Sequence, residues 1–226
     1  MLFLAIEVRN CHVNIGTQLR SAVAFGAKAV ITIGSTKHGC HGSFGASSHI
    51  PIIHFFTWDE CVIFAKLMDC AVYGVSQIPI KGEKCGNINT HNYNKNAIFV
   101  INTSGKLSEK ELNLCGHVFS LVLPVGDSEG SDSVYGSVNY EGSIGVCLHY
   151  YTSFVHVAAE RGFTGEKYNI EWTNDFSDTI LDADTNSVVV QAKAQYLAEH
   201  PNCNGNDLGD EGLGGLFGFE DGGDDV

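Results

Sequence analysis

Six short runs along this chain are almost continuously apolar rather than apolar at every second position: Leu2–Val8, Ala29–Ile33, Ile52–Phe56, Ala71–Val75, Ala97–Ile101 and Val118–Leu123. A strand of that kind has no face to offer water, so it must lie between two layers of side chains. Segments between the runs carry apolar residues at helical spacing instead, as in Asn14–Phe25 with Ile15, Leu19, Ala22 and Val23, and in Trp58–Met68. Doubly buried strands alternating with amphipathic helices predict an α/β fold with a mostly parallel sheet and helices on both faces. Ser108, with Glu111 three residues later, predicts a capped helix over 108–115 that ends near Gly116. A periodic stretch over 138–158 predicts a longer one, with Val138, Ile144, Val146, Leu148 and Val155 inward. Gly-rich or polar stretches at 34–48, 79–96 and 126–136 read as loops.

Composition bounds the partners. A mean hydropathy of +0.02 with 10% aromatic residues supplies a sizeable core and excludes a wholly disordered chain. A net charge of −13 speaks at first against nucleic acid, because phosphates are neutralised by Lys and Arg. The charge is segregated, however. Residues 1–160 hold 10 basic and 12 acidic side chains, net −2, whereas residues 161–226 hold 3 basic and 14 acidic ones, net −11. The sequence therefore divides into a nearly neutral domain (1–160), an extension (161–201) with one helix near 188–198, and an acidic Gly/Asp-rich tail (202–226). The tail is expected to be disordered.

The apolar start, Met1–Ile6, is cut short by Glu7 and Arg9 and has neither a basic leader nor a cleavage site, so it reads as a first strand and not a signal peptide. No segment reaches the ~18 apolar residues of a membrane span. A soluble, cytoplasmic protein with no membrane partner is expected. Eight cysteines without a secretion signal read as buried or free thiols. The run His38-Gly39-Cys40-His41 has metal-ligand residue types but no paired C-x-x-C spacing, so it reads as a loop and no metal is expected.

Three clusters fall at strand ends, where open α/β sheets bind ligands. In the first, Asn14 stands where it can cap a helix, Gly16 permits close approach, and Arg20 lies inside the first turns, followed by Ala22 and Phe25-Gly26. An Arg there presents a fixed guanidinium to a phosphate or a developing oxyanion, although a capped helix with a surface Arg would look the same. The second, Asn102-Thr103-Ser104-Gly105-Lys106-Leu107, is a turn able to aim backbone amides at a ligand. The third runs from Leu123-Pro124-Val125 through Ser137-Val138-Asn139 to Ser143-Ile144-Gly145; its small residues suit either a bound cofactor or close helix packing.

In this order the three clusters resemble the motifs of the SpoU (TrmH-like) branch of the SPOUT RNA methyltransferases. The family's N-x-G-x-x-x-R-x-A followed by F-G is matched by Asn14, Gly16, Arg20, Ala22 and Phe25-Gly26. Its G-N-E-G-x-G-L-S segment resembles Asn102–Ser108, where Gly105 and the Leu-Ser ending are kept, Ser104 stands where a Glu is usual and one glycine is missing. Leu123-Pro124-Val125 is similar to the I-P-M turn, and Ser137-Val138-Asn139 with Ser143–Val146 to the S-L-N motif. The likeness covers about residues 2–160, without the RNA-binding extension that larger members carry ahead of the first strand.

The resemblance implies a C-terminal deep trefoil knot, with S-adenosylmethionine held by groups around Thr103, Ser104, Gly105, Leu123, Val125 and Val138. It implies a homodimer in which the first-motif Arg of one subunit stands near the cofactor of the other. It also implies methyl transfer to a ribose 2′-hydroxyl of tRNA or rRNA rather than DNA. Arg20 would stabilise and orient the reacting hydroxyl, with Asn14, Ser137 and Asn139 completing the catalytic set. A catalytically weakened SpoU-fold RNA-binding or ribosome-assembly protein is the alternative. A Rossmann-type nucleotide site is disfavoured, because no strand is followed by G-x-G-x-x-G.

Overall fold

A computed structural model describes residues 1–9, 12–78, 80, 84–123, 136–137, 139–155 and 181–201. Among these, β1 (Leu2–Val8), β2 (Ala29–Gly34), β3 (Ile52–Phe55), β4 (Ala71–Ser76), β5 (Cys85–Gly86), β6 (Ala97–Ile101) and β7 (His117–Ser120) form one sheet in the order β3-β2-β1-β6-β4-β7-β5. Every pairing in it is parallel. The helices are α1 (Gly16–Ala24), α2 (Trp58–Leu67), α3 (Glu109–Leu114), α4 (Tyr140–Val155) and α5 (Ala183–Glu199).

The continuous apolar runs have the predicted cause. Along β1, Leu2, Leu4, Ile6 and Val8 face one core layer and Phe3 and Ala5 the other, and β6 divides Ala97, Phe99 and Ile101 from Ile98 and Val100 in the same way. The first layer contains Leu19 of α1 and Leu148 and Tyr151 of α4; the second contains Phe64 of α2, Leu107 and Val189 of α5. Removing side chains such as Phe99 or Leu4 from water contributes about 2 kcal/mol each. Helix α3 begins at the expected capping box, in which Ser108 Oγ accepts from the Glu111 amide and Glu111 from the Ser108 amide. Helix α2 starts the same way on Thr57 and Glu60.

Five local expectations are corrected, the first being that Val146, expected inward on α4, is 37% exposed while Ile144 and Leu148 are buried as expected. The 79–96 loop contains β5, two residues that the sheet edge recruits against Val118 and Phe119. The run Val118–Leu123 is not one strand. After Ser120 it leaves β4, and Val122–Leu123 (β8) pairs antiparallel with Gly136–Ser137 (β9) in a separate ribbon. Helix α5 starts at Ala183, earlier than the apolar stretch from Val188, because Asp182 caps it by accepting from the Thr185 amide at 3.0 Å. Asn14 is not the N-cap of α1; Ile15 is, and Asn14 lies one residue earlier. Residues 124–135 and 138 of the C-terminal part expected to be knotted, the end of the 138–158 stretch beyond Val155 and the acidic tail 202–226 lie outside the described residues. No helix among the described residues is long and apolar enough to cross a membrane.

Candidate functional site

The chain runs outward from β1 through β2 to β3 on one side, while β6 pairs with β1 on the other. The C-terminal ends of β1 and β6 therefore flank the point where strand order reverses, where a crevice for ligands opens in such sheets. The first and second clusters leave from these two strand ends. A side-chain link joins the two strand ends: Glu7 Oε2 accepts from Arg9 Nε at 2.8 Å and from Asn102 Nδ2 at 3.4 Å.

At the first cluster, Asn14 ties two segments together. Its Oδ1 accepts the Gly16 amide at 3.1 Å and its Nδ2 donates to the His41 carbonyl at 3.0 Å. Backbone bonds from Ile15 N to Gly39 O (2.8 Å) and from Gly39 N to Val13 O (2.9 Å) complete the seam. Gly16 does permit a close approach, but by the chain's own backbone: a Cβ there would run into the His41 carbonyl and stand 2.6 Å from Cys40 O. Arg20 is exposed on α1, with its guanidinium 4.8 Å from the centre of the Phe44 ring.

At the second cluster, Thr103 and Ser104 form an exposed tip. Asn102 beneath them is buried, and its Oδ1 accepts from Ser104 N (3.0 Å) and Ser104 Oγ (2.7 Å). Its Nδ2 donates to both carboxylate oxygens of the fully buried Glu111 at 3.1 Å. Gly105 turns inward with φ 74°, bonds Asn102 O through its amide and Gln77 N through its carbonyl, and leaves no room for a Cβ against the Gln77 side chain.

At the third, the β8–β9 ribbon sets Leu123 opposite Gly136 and Val122 opposite Ser137. Asn139 is exposed and opens α4 by accepting the Gly142 amide at 2.7 Å. Helix α4 packs on α1, so the elements carrying Asn139 and Arg20 are neighbours. Val125 and Val138 lie outside the described residues. Near the end of β7 an open cleft of about 340 Å³ is lined by Cys85, Gly86, Asn87, Ile88, Phe119 and Ser120. That volume is in the range of small-ligand sites.

Sequence reasoning missed Phe44, whose exposure and backbone have no linear signature, and the Asn102–Glu111 pair, although the capping box had already singled out Glu111. It also missed His54, which burial holds down at about 4, with Lys193 and His38 adding to the shift. Cys61 and Cys115 are buried thiols pushed up to about 12 by desolvation, as the structural reading of the cysteines expects.

No protein-family model matches the chain, and no curated protein matches its sequence. Solved structures do match its fold. They include the SpoU methyltransferase AviRb from Streptomyces viridochromogenes in complex with the cofactor AdoMet, at a TM-score of 0.54 and 18% identity over 68% of this chain and 57% of that one. An AdoMet-bound rRNA methyltransferase from Sinorhizobium meliloti matches at 0.50 and 17% over 70% and 57%. The TrmH/SpoU tRNA modifying enzyme of A. aeolicus matches at 0.52 and 12% over 87% and 89%. The chain thus spans 57% of the AviRb chain. The α/β architecture is that of the SpoU/TrmH RNA methyltransferase structures, and S-adenosylmethionine is the cofactor with which two of these neighbours were crystallised.

Proposed function

We propose that this chain is an S-adenosylmethionine-dependent RNA methyltransferase acting on a ribose 2′-hydroxyl of tRNA or rRNA. The observation that carries the reading is that the Asn14–Arg20 and Asn102–Gly105 motifs follow adjacent parallel strands, β1 and β6, whose C-terminal ends are linked through Glu7 and Asn102. The cofactor would be held at the exposed Thr103-Ser104 tip, which Asn102 supports from beneath, and the same sheet carries an open cleft at the end of β7. When bound, S-adenosylmethionine supplies an electrophilic methyl group.

The chain's own residues must do the rest. A ribose hydroxyl is a poor nucleophile near neutral pH, so it needs alignment and a cation beside the oxygen as charge develops. Arg20 offers a permanently charged, exposed guanidinium on a helix whose start is pinned by Asn14. Asn139 opens the neighbouring helix and, with Ser137, is assigned to ordering Arg20 and the RNA phosphate. A C-terminal deep trefoil knot is part of this proposal.

The homodimer belongs to the same proposal. Val146, Tyr150 and Phe154 recur every fourth residue along α4 and are 37%, 38% and 47% exposed, an apolar stripe suited to a second copy. A second reading, an RNA-binding protein of this fold that does not transfer methyl, is favoured by Gly105, whose amide and carbonyl are both engaged within the chain.

Calorimetry with S-adenosylmethionine, together with methyl transfer to total RNA by wild type and Arg20→Ala, separates the readings. Binding plus transfer lost in Arg20→Ala is the expected result. Binding with transfer indifferent to Arg20 overturns the assigned role, and binding without any transfer favours the second reading.

A further inference from the structure

Phe44 is 82% exposed, the most open of the large apolar side chains among the described residues. Its ring contributes little to the core, and its backbone carries a cost: φ is 49°, a left-handed conformation that a non-glycine residue adopts at about 1 kcal/mol or more. Gly42 and Gly45, at φ 80° and 83°, bend the chain on either side of it. The loop is nonetheless fixed. It is sewn to the start of α1 by Asn14 and Gly39 and closed on itself by Ser43 N to Cys40 O (3.2 Å) and Ala46 N to Ser43 O (3.0 Å). A strained, rigid turn therefore holds an aromatic face out in solvent, and the Arg20 guanidinium lies over that ring at 4.8 Å.

We infer that Phe44 is a stacking platform for an unpaired RNA base beside the nucleotide whose ribose Arg20 serves; this rests on the proposed methyltransferase reading for the role of Arg20. Every nucleobase has a π face, so an exposed ring binds single-stranded RNA without reading its sequence. A base laid on Phe44 stands next to a guanidinium able to take the phosphate of the same strand. Stacking also supplies what this domain lacks. With 10 basic against 12 acidic residues in its first 160, it gains little from counterion release, whereas aromatic stacking adds affinity that salt does not screen.

The test is fluorescence anisotropy with a short labelled single-stranded oligoribonucleotide, titrated at several salt concentrations against the full chain and its Phe44→Ala, Phe44→Leu and Phe44→Tyr variants. A 2-aminopurine version of the same RNA reports stacking directly. The expected result is a Kd weakened roughly tenfold in Phe44→Ala and Phe44→Leu, retained in Phe44→Tyr, with an unchanged salt slope and loss of 2-aminopurine quenching. Wild-type affinity in Phe44→Ala, equal binding by Leu and Phe, or no RNA binding by the wild type overturns the proposal. A fall in molar mass by light scattering in Phe44→Ala also overturns it, by assigning the ring to contact between copies. S-adenosylmethionine calorimetry on the same samples keeps the two readings apart: no cofactor binding with Phe44-dependent RNA binding removes the enzyme and leaves the platform, while intact cofactor binding with Phe44-independent RNA binding does the reverse.

Discussion

Asn102 Nδ2 lies 3.1 Å from both carboxylate oxygens of Glu111, and the same carboxamide accepts two bonds from Ser104 through its oxygen. One side chain thus satisfies a buried carboxylate on α3 and shapes the exposed tip after β6. Truncating it leaves Glu111 with little beyond the Ser108 amide at 2.6 Å. Asn102→Ala should cost about 2–3 kcal/mol in urea unfolding and weaken S-adenosylmethionine binding. Asn102→Asp, which sets two carboxylates face to face, should be worse near neutral pH and regain stability on acidification as one of them protonates. A cofactor affinity unmoved in both variants would detach the tip from ligand binding.

His54 should make the protein sensitive to mild acid. Its folded-state pKa is held down to about 4, first by desolvation, then by Lys193 and His38, against 6.5 for the unfolded chain. A depressed pKa means that its contribution is complete above pH 6.5 and is lost as pH falls toward 4, because the unfolded chain then binds the extra proton. The urea midpoint of the wild type should decline through that window by the equivalent of roughly 1–2 kcal/mol, and His54→Leu should flatten the decline. Equal slopes in the two proteins would dismiss His54 as the cause.

The framework of this molecule is legible in linear sequence because its cause is linear. Leu2–Val8 and Ala97–Ile101 are apolar at consecutive positions, and only a two-sided core accommodates that. Ser108 and Glu111 announce a helix start at fixed spacing. The β8–β9 ribbon and β5 were hidden because each depends on a partner distant in sequence, Ser137 for Val122 and Val118 for Cys85, whereas the early start of α5 rests on the local Asp182–Thr185 cap, which lies ahead of the apolar stretch that marks the helix. The motif spacing around Asn14, Gly16 and Arg20 pointed to a site, yet Gly16 turns out to admit the backbone of Cys40 and His41, a contact that no local pattern encodes.

That contact makes Gly16→Ala a sharp probe. The added methyl meets backbone carbonyls of residues 40 and 41, and backbone cannot step aside as a flexible side chain can. The substitution suits a helix intrinsically, so a neutral or stabilising effect would be expected if the seam were unimportant. A loss of about 1–3 kcal/mol is predicted instead. Proteolysis confined to the 38–45 loop should accelerate with it, and an unaltered cleavage rate would contradict the seam.

Helix α5 is latched at its first turn. Lys28 Nζ and Asp182 Oδ2 are 2.8 Å apart, and Asp182 also accepts from Thr185 N and Oγ. The Lys28 ammonium, followed by the Thr185 amide, holds the Asp182 carboxyl well below the ordinary carboxylate range. Its contribution is therefore present above the unfolded value of 3.8 and disappears as pH falls below it, a lower window than that of His54. Since the Asp182 side chain is 45% exposed, the ion pair itself should contribute less than about 1 kcal/mol. Asp182→Asn, which keeps the cap, should be more stable than Asp182→Ala by about 1 kcal/mol, with Lys28→Met close to Asp182→Asn. Chemical unfolding of the three variants checks the order, and equal losses for Asn and Ala would deny the cap its role.

Phe44 should show the reverse of ordinary core behaviour. Asparagine tolerates left-handed backbone far better than phenylalanine, and the ring buries little, so Phe44→Asn removes strain at the cost of one exposed cation–π contact with Arg20. The variant should melt about 1–3 °C higher than the wild type, the shift expected of roughly half to one kcal/mol in a chain of this size. It should at the same time bind single-stranded RNA more weakly, because the face that stacks is gone. A lower melting temperature would mean that the ring supports the fold, and would remove the reason for regarding its exposure as functional.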